Sequence, residues 1–234
     1  MDQPRIVVTL ANPELAADPA IAALKNDRYL EALERAGAAP MPLDERDSSG
    51  LRAEAWAAMD GTVAIRIMFS PDISRDAADP GINRVLAAAA KHDLPVNLMA
   101  RGRLEQVGQL AKRNPNTTLV IDHLGLEQPF VPPAPKQPWV ELPKLLALAP
   151  HPNIMVKISG ACTLSHEKYP FRDIWDPLES IFEAFGLGRC MWGTDWTRAV
   201  NLLTYKEGVD SFRVTARLPD SDRAVLMGGS LQKI

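Results

Sequence analysis

Apolar residues follow two alternating patterns along this chain. Unbroken runs recur at Ile6–Leu10, Thr62–Phe69, Pro95–Ala100, Leu119–Asp122, Ile154–Ser159 and Cys190–Gly193. Such runs read as short strands buried on both faces. Between them lie stripes at helical spacing: Ile21, Leu24, Leu30 and Leu33; Ile82, Val85, Leu86 and Ala89; Leu104, Val107, Leu110 and Ala111; Leu178, Ile181, Phe182 and Phe185. Asp18-Pro19 pairs an N-cap with a proline at the first helical position, and Gly37 stands where a C-terminal cap belongs. Asp176-Pro-Leu-Glu179 and Thr204-Tyr-Lys-Glu207 each match a capping box. Trp139–Ala149 reads as a helix, Leu51–Met59 as a short one, and Pro40–Leu43 as a short strand despite its prolines. Strand followed by helix, repeated about seven times, predicts a parallel sheet with helices outside. The expected fold is α/β, a TIM-like parallel (β/α) barrel. The alternative is an open, doubly wound, flavodoxin-like sheet, whose exposed edge would invite a homodimer.

In a barrel of parallel strands the carboxyl ends share one mouth, where chemistry collects. His123 follows the strand ending at Asp122, and Asp195 follows the one ending at Gly193. They are candidate catalytic partners; the plainer alternative is a satisfied core histidine and a helix cap. Arg66 and Lys157 are charges inside apolar strands, costly unless paired or open to a wet cavity. Arg66 could equally snorkel outward. The segment 127–138 holds prolines at 129, 132, 133, 135 and 138, so it cannot be regular structure. Its place after a strand suggests a binding loop. A second loop, 160–172, carries Thr163, Ser165 and His166. His92 at a helix end and His151 on the return side read as structural.

Composition narrows the classes. The chain has 234 residues, 46% hydrophobic and 24% charged, with formal net charge −3. That suits one domain of a soluble α/β protein, since such barrels run to roughly 200–250 residues. No face is visibly basic, so nucleic acid is not an expected partner. No apolar run reaches the roughly 18 residues of a membrane span. The two cysteines, Cys162 and Cys190, have no metal-like spacing, and a reducing cytoplasm is expected. The sequence carries no G-x-G-x-x-G, Walker, H-E-x-x-H or G-x-S-x-G motif.

From about Thr62 to Ile234 the chain resembles the amidohydrolase superfamily, in particular its lactonase-like branch of 2-pyrone-4,6-dicarboxylate hydrolases and sugar lactonases. The matching pieces are Ala64–Ile67, Ile121–Gly125, Val156–Gly160, Met191–Trp196 and Leu226–Gly229. The resemblance implies a β/α barrel that hydrolyses a lactone or related cyclic ester or amide. In that family the aspartate corresponding to Asp195 activates water, and the histidine corresponding to His123 binds metal or polarises the carbonyl. Arg66 and Lys157 would then meet substrate carboxylates. Relatives specific for a dicarboxylate carry an arginine where this chain has Ala161–Ser165, which leaves Thr163, Ser165 and His166 for a smaller substrate. The family's opening His-x-His strand is absent: no histidine precedes His92. Catalytic zinc needs about three protein ligands, so no tightly held metal is expected, zinc being the alternative. In residues 1–61, Val7–Leu10, Lys25–Leu33 and Met59–Gly61 instead resemble the start of class I glutamine amidotransferase-like proteins of the γ-glutamyl-γ-aminobutyrate hydrolase type. The composite reading is one domain over 1–234: a flavodoxin-like segment, 1–61, joined to an amidohydrolase-like segment, 62–234. Loss of the His-x-His strand would leave such a chimera with little or no activity.

Overall fold

In the computed structural model the described residues are 57–58, 62–71 and 76–234, together with the backbone of two strands, β1 (Arg5–Leu10) and β2 (Ala39–Asp44). The helix expected from Asp18 and most of that expected over Leu51–Met59 lie outside them. β1 and β2 pair in parallel, Ile6 opposite Pro40 and Val8 opposite Pro42. The segment Pro40–Leu43 is therefore a strand despite its prolines, as expected.

The chain forms two compact units, one ending at Val120 and one beginning at Ile121. In the first, β3 (Ile65–Ile67) pairs in parallel with β4 (Val96–Leu98), and β4 is followed in order by β5 (Leu119–Ile121), whose last residue opens the second unit. Helix α1 (Pro80–Lys91) begins where the sequence places proline after an acid: Asp79 accepts from the backbone N–H groups of Gly81 at 2.7 Å and Ile82 at 3.1 Å. Val85, Leu86 and Ala89 are buried on it, and His92 is its C-cap. Helix α2 (Leu104–Arg113) buries Leu104, Val107, Leu110 and Ala111, the predicted stripe.

In the second unit β6 (Ile154–Lys157) pairs in parallel with β7 (Cys190–Met191), Val156 opposite Cys190. Pairing runs past the strand ends: Ile158 donates to Met191 O at 2.6 Å and Gly160 to Gly193 O at 3.3 Å. On the far side of β7, Trp192 N donates to Leu226 O at 2.9 Å, so a C-terminal turn continues the ladder. Leu119, Val120, Ile121, Ile154, Val156 and Cys190 have no exposed surface. This burial explains why the strand segments read as continuous apolar runs without alternation.

Two helix starts depart from expectation. The helix expected to be capped by Asp176 begins earlier, as α3 (Trp175–Phe185), with no side-chain cap. Arg217 draws both acids outward, bonding Asp176 Oδ1 at 2.8 Å and Glu179 Oε2 at 2.6 Å. That guanidinium holds the Glu179 carboxyl below its usual range. The helix expected over Trp139–Ala149 shortens to Leu142–Leu146, flanked by turns. By contrast Thr204 caps helix α4 (Tyr205–Arg213) with both bonds of the capping box.

Candidate functional site

The carboxyl ends of β5, β6 and β7 bring the candidates of the second unit together. After β5 the chain turns sharply through Asp122–Gly125, with His123 at φ 52° and Leu124 at φ 64°. After β7 it turns again at Asp195, φ 51°, immediately before a single helical turn, Trp196–Ala199. Left-handed backbone is uncommon outside glycine and marks sites where the surroundings force the conformation. Both turns aim their side chains inward. His123 Nδ1 lies 3.5 Å from Asp195 Oδ2, and the two side chains are only 13% and 6% exposed.

A third group shares that nitrogen. Ser159, two residues beyond the end of β6, places Oγ 2.8 Å from His123 Nδ1. A hydroxyl and a carboxylate on one imidazole nitrogen do not form a serine–histidine–aspartate relay, which needs them on opposite nitrogens. Ser159 has room because Gly193 faces it: a Cβ there would stand 3.3 Å from Ser159 Cβ.

Arg198 organises the rest. Its Nε donates to Asp195 Oδ2 at 2.5 Å, three residues back along the turn. Nη1 donates to Pro129 O at 2.5 Å; Nη2 donates to Gln128 Oε1 at 2.6 Å and Thr163 Oγ1 at 3.1 Å. The side chain is 7% exposed. One guanidinium thus joins the turn after β7, the proline-rich loop after β5 and the loop after β6. Gln128 completes the knot by donating to His123 O at 3.2 Å and Ser159 O at 3.0 Å.

Beside Arg198 lies a cleft of about 450 Å³. Pro129, Pro132, Tyr169 and Phe171 line it together with Thr163, Ser165 and the charged Glu167, Lys168 and Glu207; His123 and Asp195 are not among its lining residues. Thr163 is buried and donates to Gly160 O at 2.7 Å. Ser165 donates to Asp173 Oδ1 and is half-buried. His166 is exposed and turns to the proline-rich loop, its Nε2 3.0 Å from Pro135 O. Lys157 Nζ lies 3.1 Å from Oδ1 of the buried Asp122. Arg66 is half-buried on β3 of the first unit, in register with Asn97. The structure thus gathers His123, Asp195 and Thr163, sets Ser165 at the cleft, and directs Lys157 and His166 to protein partners.

Ser159, Gln128 and Arg198 were not singled out from sequence. Arg198 left a faint signal, a base three residues after a candidate acid at helical spacing. The contacts of Ser159 and Gln128 come from distant segments and leave none.

Comparison with known proteins decides the family. The amidohydrolase family model matches residues 9–229. The chain belongs to the amidohydrolase family. The match runs straight across position 61, and nothing supports a glutamine amidotransferase segment or a joined chain there. Among curated proteins the L-fucono-1,5-lactonase of Burkholderia ambifaria is 28% identical over 119 residues, half of this chain and 40% of the lactonase. Among solved structures, an amidohydrolase from Burkholderia multivorans with bound zinc superposes with a TM-score of 0.71 at 22% identity, over 99% of this chain and 82% of that one. A candidate 2-pyrone-4,6-dicarboxylic acid hydrolase from Pseudomonas putida gives 0.56 at 15% identity, over 99% and 96%. The parallel strands and α/β content therefore belong to the TIM-barrel fold class of the amidohydrolases. Among the described residues no helix is long and apolar enough to cross a membrane.

A metal fits this amidohydrolase site poorly. Among the described residues no three histidine, cysteine or acidic side chains gather as a ligand set. The acids nearest His123, Asp195 and Asp122, already hold the cations Arg198 and Lys157.

Proposed function

We propose that this protein hydrolyses a lactone or related cyclic ester or amide, with Asp195 activating water and His123 polarising the carbonyl. The observation that carries this reading is the His123–Asp195 approach at 3.5 Å, on two strained turns that follow β5 and β7, the strands on either side of β6. Arg198 and His123 both address Oδ2 of Asp195, and in this reading Oδ1 takes the proton of the water. Asp195 takes one proton, the hydroxide bonds to the carbonyl carbon, and the ring C–O or C–N bond breaks. The departing oxygen or nitrogen then regains the proton. Ser159 and Asp195 both address Nδ1 of His123, which orients the imidazole. General acid–base assistance of this kind supplies about 10²–10⁴-fold. In this reading the nearby cleft, whose lining mixes Pro129, Tyr169 and Leu202 with Thr163, Ser165, Glu167, Lys168 and Glu207, would hold the rest of a small substrate. Family membership and the lactonase similarity support the substrate class.

The test is hydrolysis of a panel of sugar and aromatic lactones by the wild type and by D195N. Turnover by the wild type that D195N abolishes supports the reading. A folded wild type that turns over none of the panel sinks it and favours a scaffold with little or no activity, as the missing His-x-His strand suggests.

A further inference from the structure

We propose that Arg198 is a built-in cation that takes the place of a metal ion at Asp195, so that this amidohydrolase site refuses divalent metals. A divalent ion in such a site would neutralise the aspartate, orient it and bridge it to neighbouring elements. The Arg198 guanidinium does all three. Nε holds Asp195 Oδ2 at 2.5 Å, the same oxygen that faces His123 Nδ1 at 3.5 Å. The two remaining nitrogens tie that carboxylate to Pro129, Gln128 and Thr163 on the two cleft loops.

The chemistry argues against a metal sharing this space. A guanidinium is always protonated and cannot become a ligand by losing a proton. Here it is nearly buried, where like charges are poorly screened. Among the described residues the donor set is also short: His123 and Asp195 are two ligands, and catalytic zinc takes about three from protein. Asp122, the neighbouring acid, is engaged by Lys157 at 3.1 Å. The similar Burkholderia multivorans amidohydrolase holds zinc, so this chain would reach the same fold with a different cation.

The inference concerns the same residues as the proposed hydrolysis, but zinc binding reads it without turnover, so either can fail alone. Zinc chloride is titrated by calorimetry into the full chain as wild type, R198H, R198K and R198H/D195N, with circular dichroism to check folding. R198H removes the cation and sets an imidazole three residues from Asp195, completing a three-ligand set with His123. The expected result is no stoichiometric zinc on the wild type or R198K. R198H should bind one zinc at least about tenfold more tightly, and lose it when D195N is added. Stoichiometric zinc on the wild type that D195N removes overturns the proposal. So does a folded R198H with no gain. Should R198H not fold, the wild-type and R198K titrations decide the matter by the same criterion.

Discussion

His123 and Asp195 hold the same uncommon backbone conformation, with φ of 52° and 51°. Histidine and aspartate tolerate it better than most residues, and asparagine better still. Asparagine at either position therefore keeps the turn and isolates the chemistry. H123N and D195N are each expected to lower lactone turnover by about 10²–10⁴-fold. D195N should also destabilise more than H123N, by about 1–3 kcal/mol, since it weakens a charge-assisted bond to a buried guanidinium. Urea denaturation of both variants beside the wild type checks the order.

Gly160 also lies in the left-handed region, φ 72°, and is the most crowded of these glycines. A Cβ there would meet Gln128 Oε1 at 2.2 Å and Arg198 Nη2 at 2.4 Å. Those side-chain ends are fixed by the bonds of the loop knot and cannot simply swing away. G160A should cost about 2–4 kcal/mol, combining left-handed strain with lost hydrogen bonds. It should lower the thermal midpoint more than G188A, where a Cβ meets nothing.

Burial pushes the Cys162 and Cys190 thiols up to about 12. In the unfolded chain a thiol ionises near 8.5. Between those values the unfolded state binds fewer protons than the folded one, so stability falls as pH rises. The contribution is complete below about pH 8.5 and is lost progressively toward pH 12. Denaturation midpoints should therefore decline above about pH 9, less so in C162A/C190A. Native protein at pH 8 should resist thiol reagents until denatured.

Thr204 accepts from Glu207 N at 3.2 Å while the Glu207 carboxylate accepts from Thr204 N at 2.8 Å. The Thr204 backbone N–H and hydroxyl, each donating to that carboxylate at 2.8 Å, hold it below its usual range. T204A should cost about 1 kcal/mol. Differential denaturation checks it, with K206A, a change on the exposed face of the same helix, as the reference.

Much of the fold could be read from the chain because its strands are buried on both faces. Leu119–Ile121 and Ile154–Val156 announce themselves as apolar runs without needing a partner. The Thr204 box was legible because both members lie in one helical turn. The box expected at Asp176 failed for the opposite reason: Arg217, 41 residues away from it, competes for the same acids. The site divides likewise. His123 and Asp195 were visible as polar residues ending apolar runs. Arg198 was not, since its significance comes from Gln128 and Thr163, which lie 70 and 35 residues off. The expected junction near Gly61 arose from local likeness over a short stretch. The family match over 9–229 outweighs it.

Pro129 and Pro132 give the cleft a wall whose torsions are fixed in advance. Ordering a flexible loop around a guest costs about 1–2 kcal/mol per residue in backbone freedom. A wall already stiffened by pyrrolidine rings, and roped to Arg198 through Pro129 O, escapes most of that penalty. Such a surface selects guests by shape, as a mould does, and should tolerate few that require it to yield.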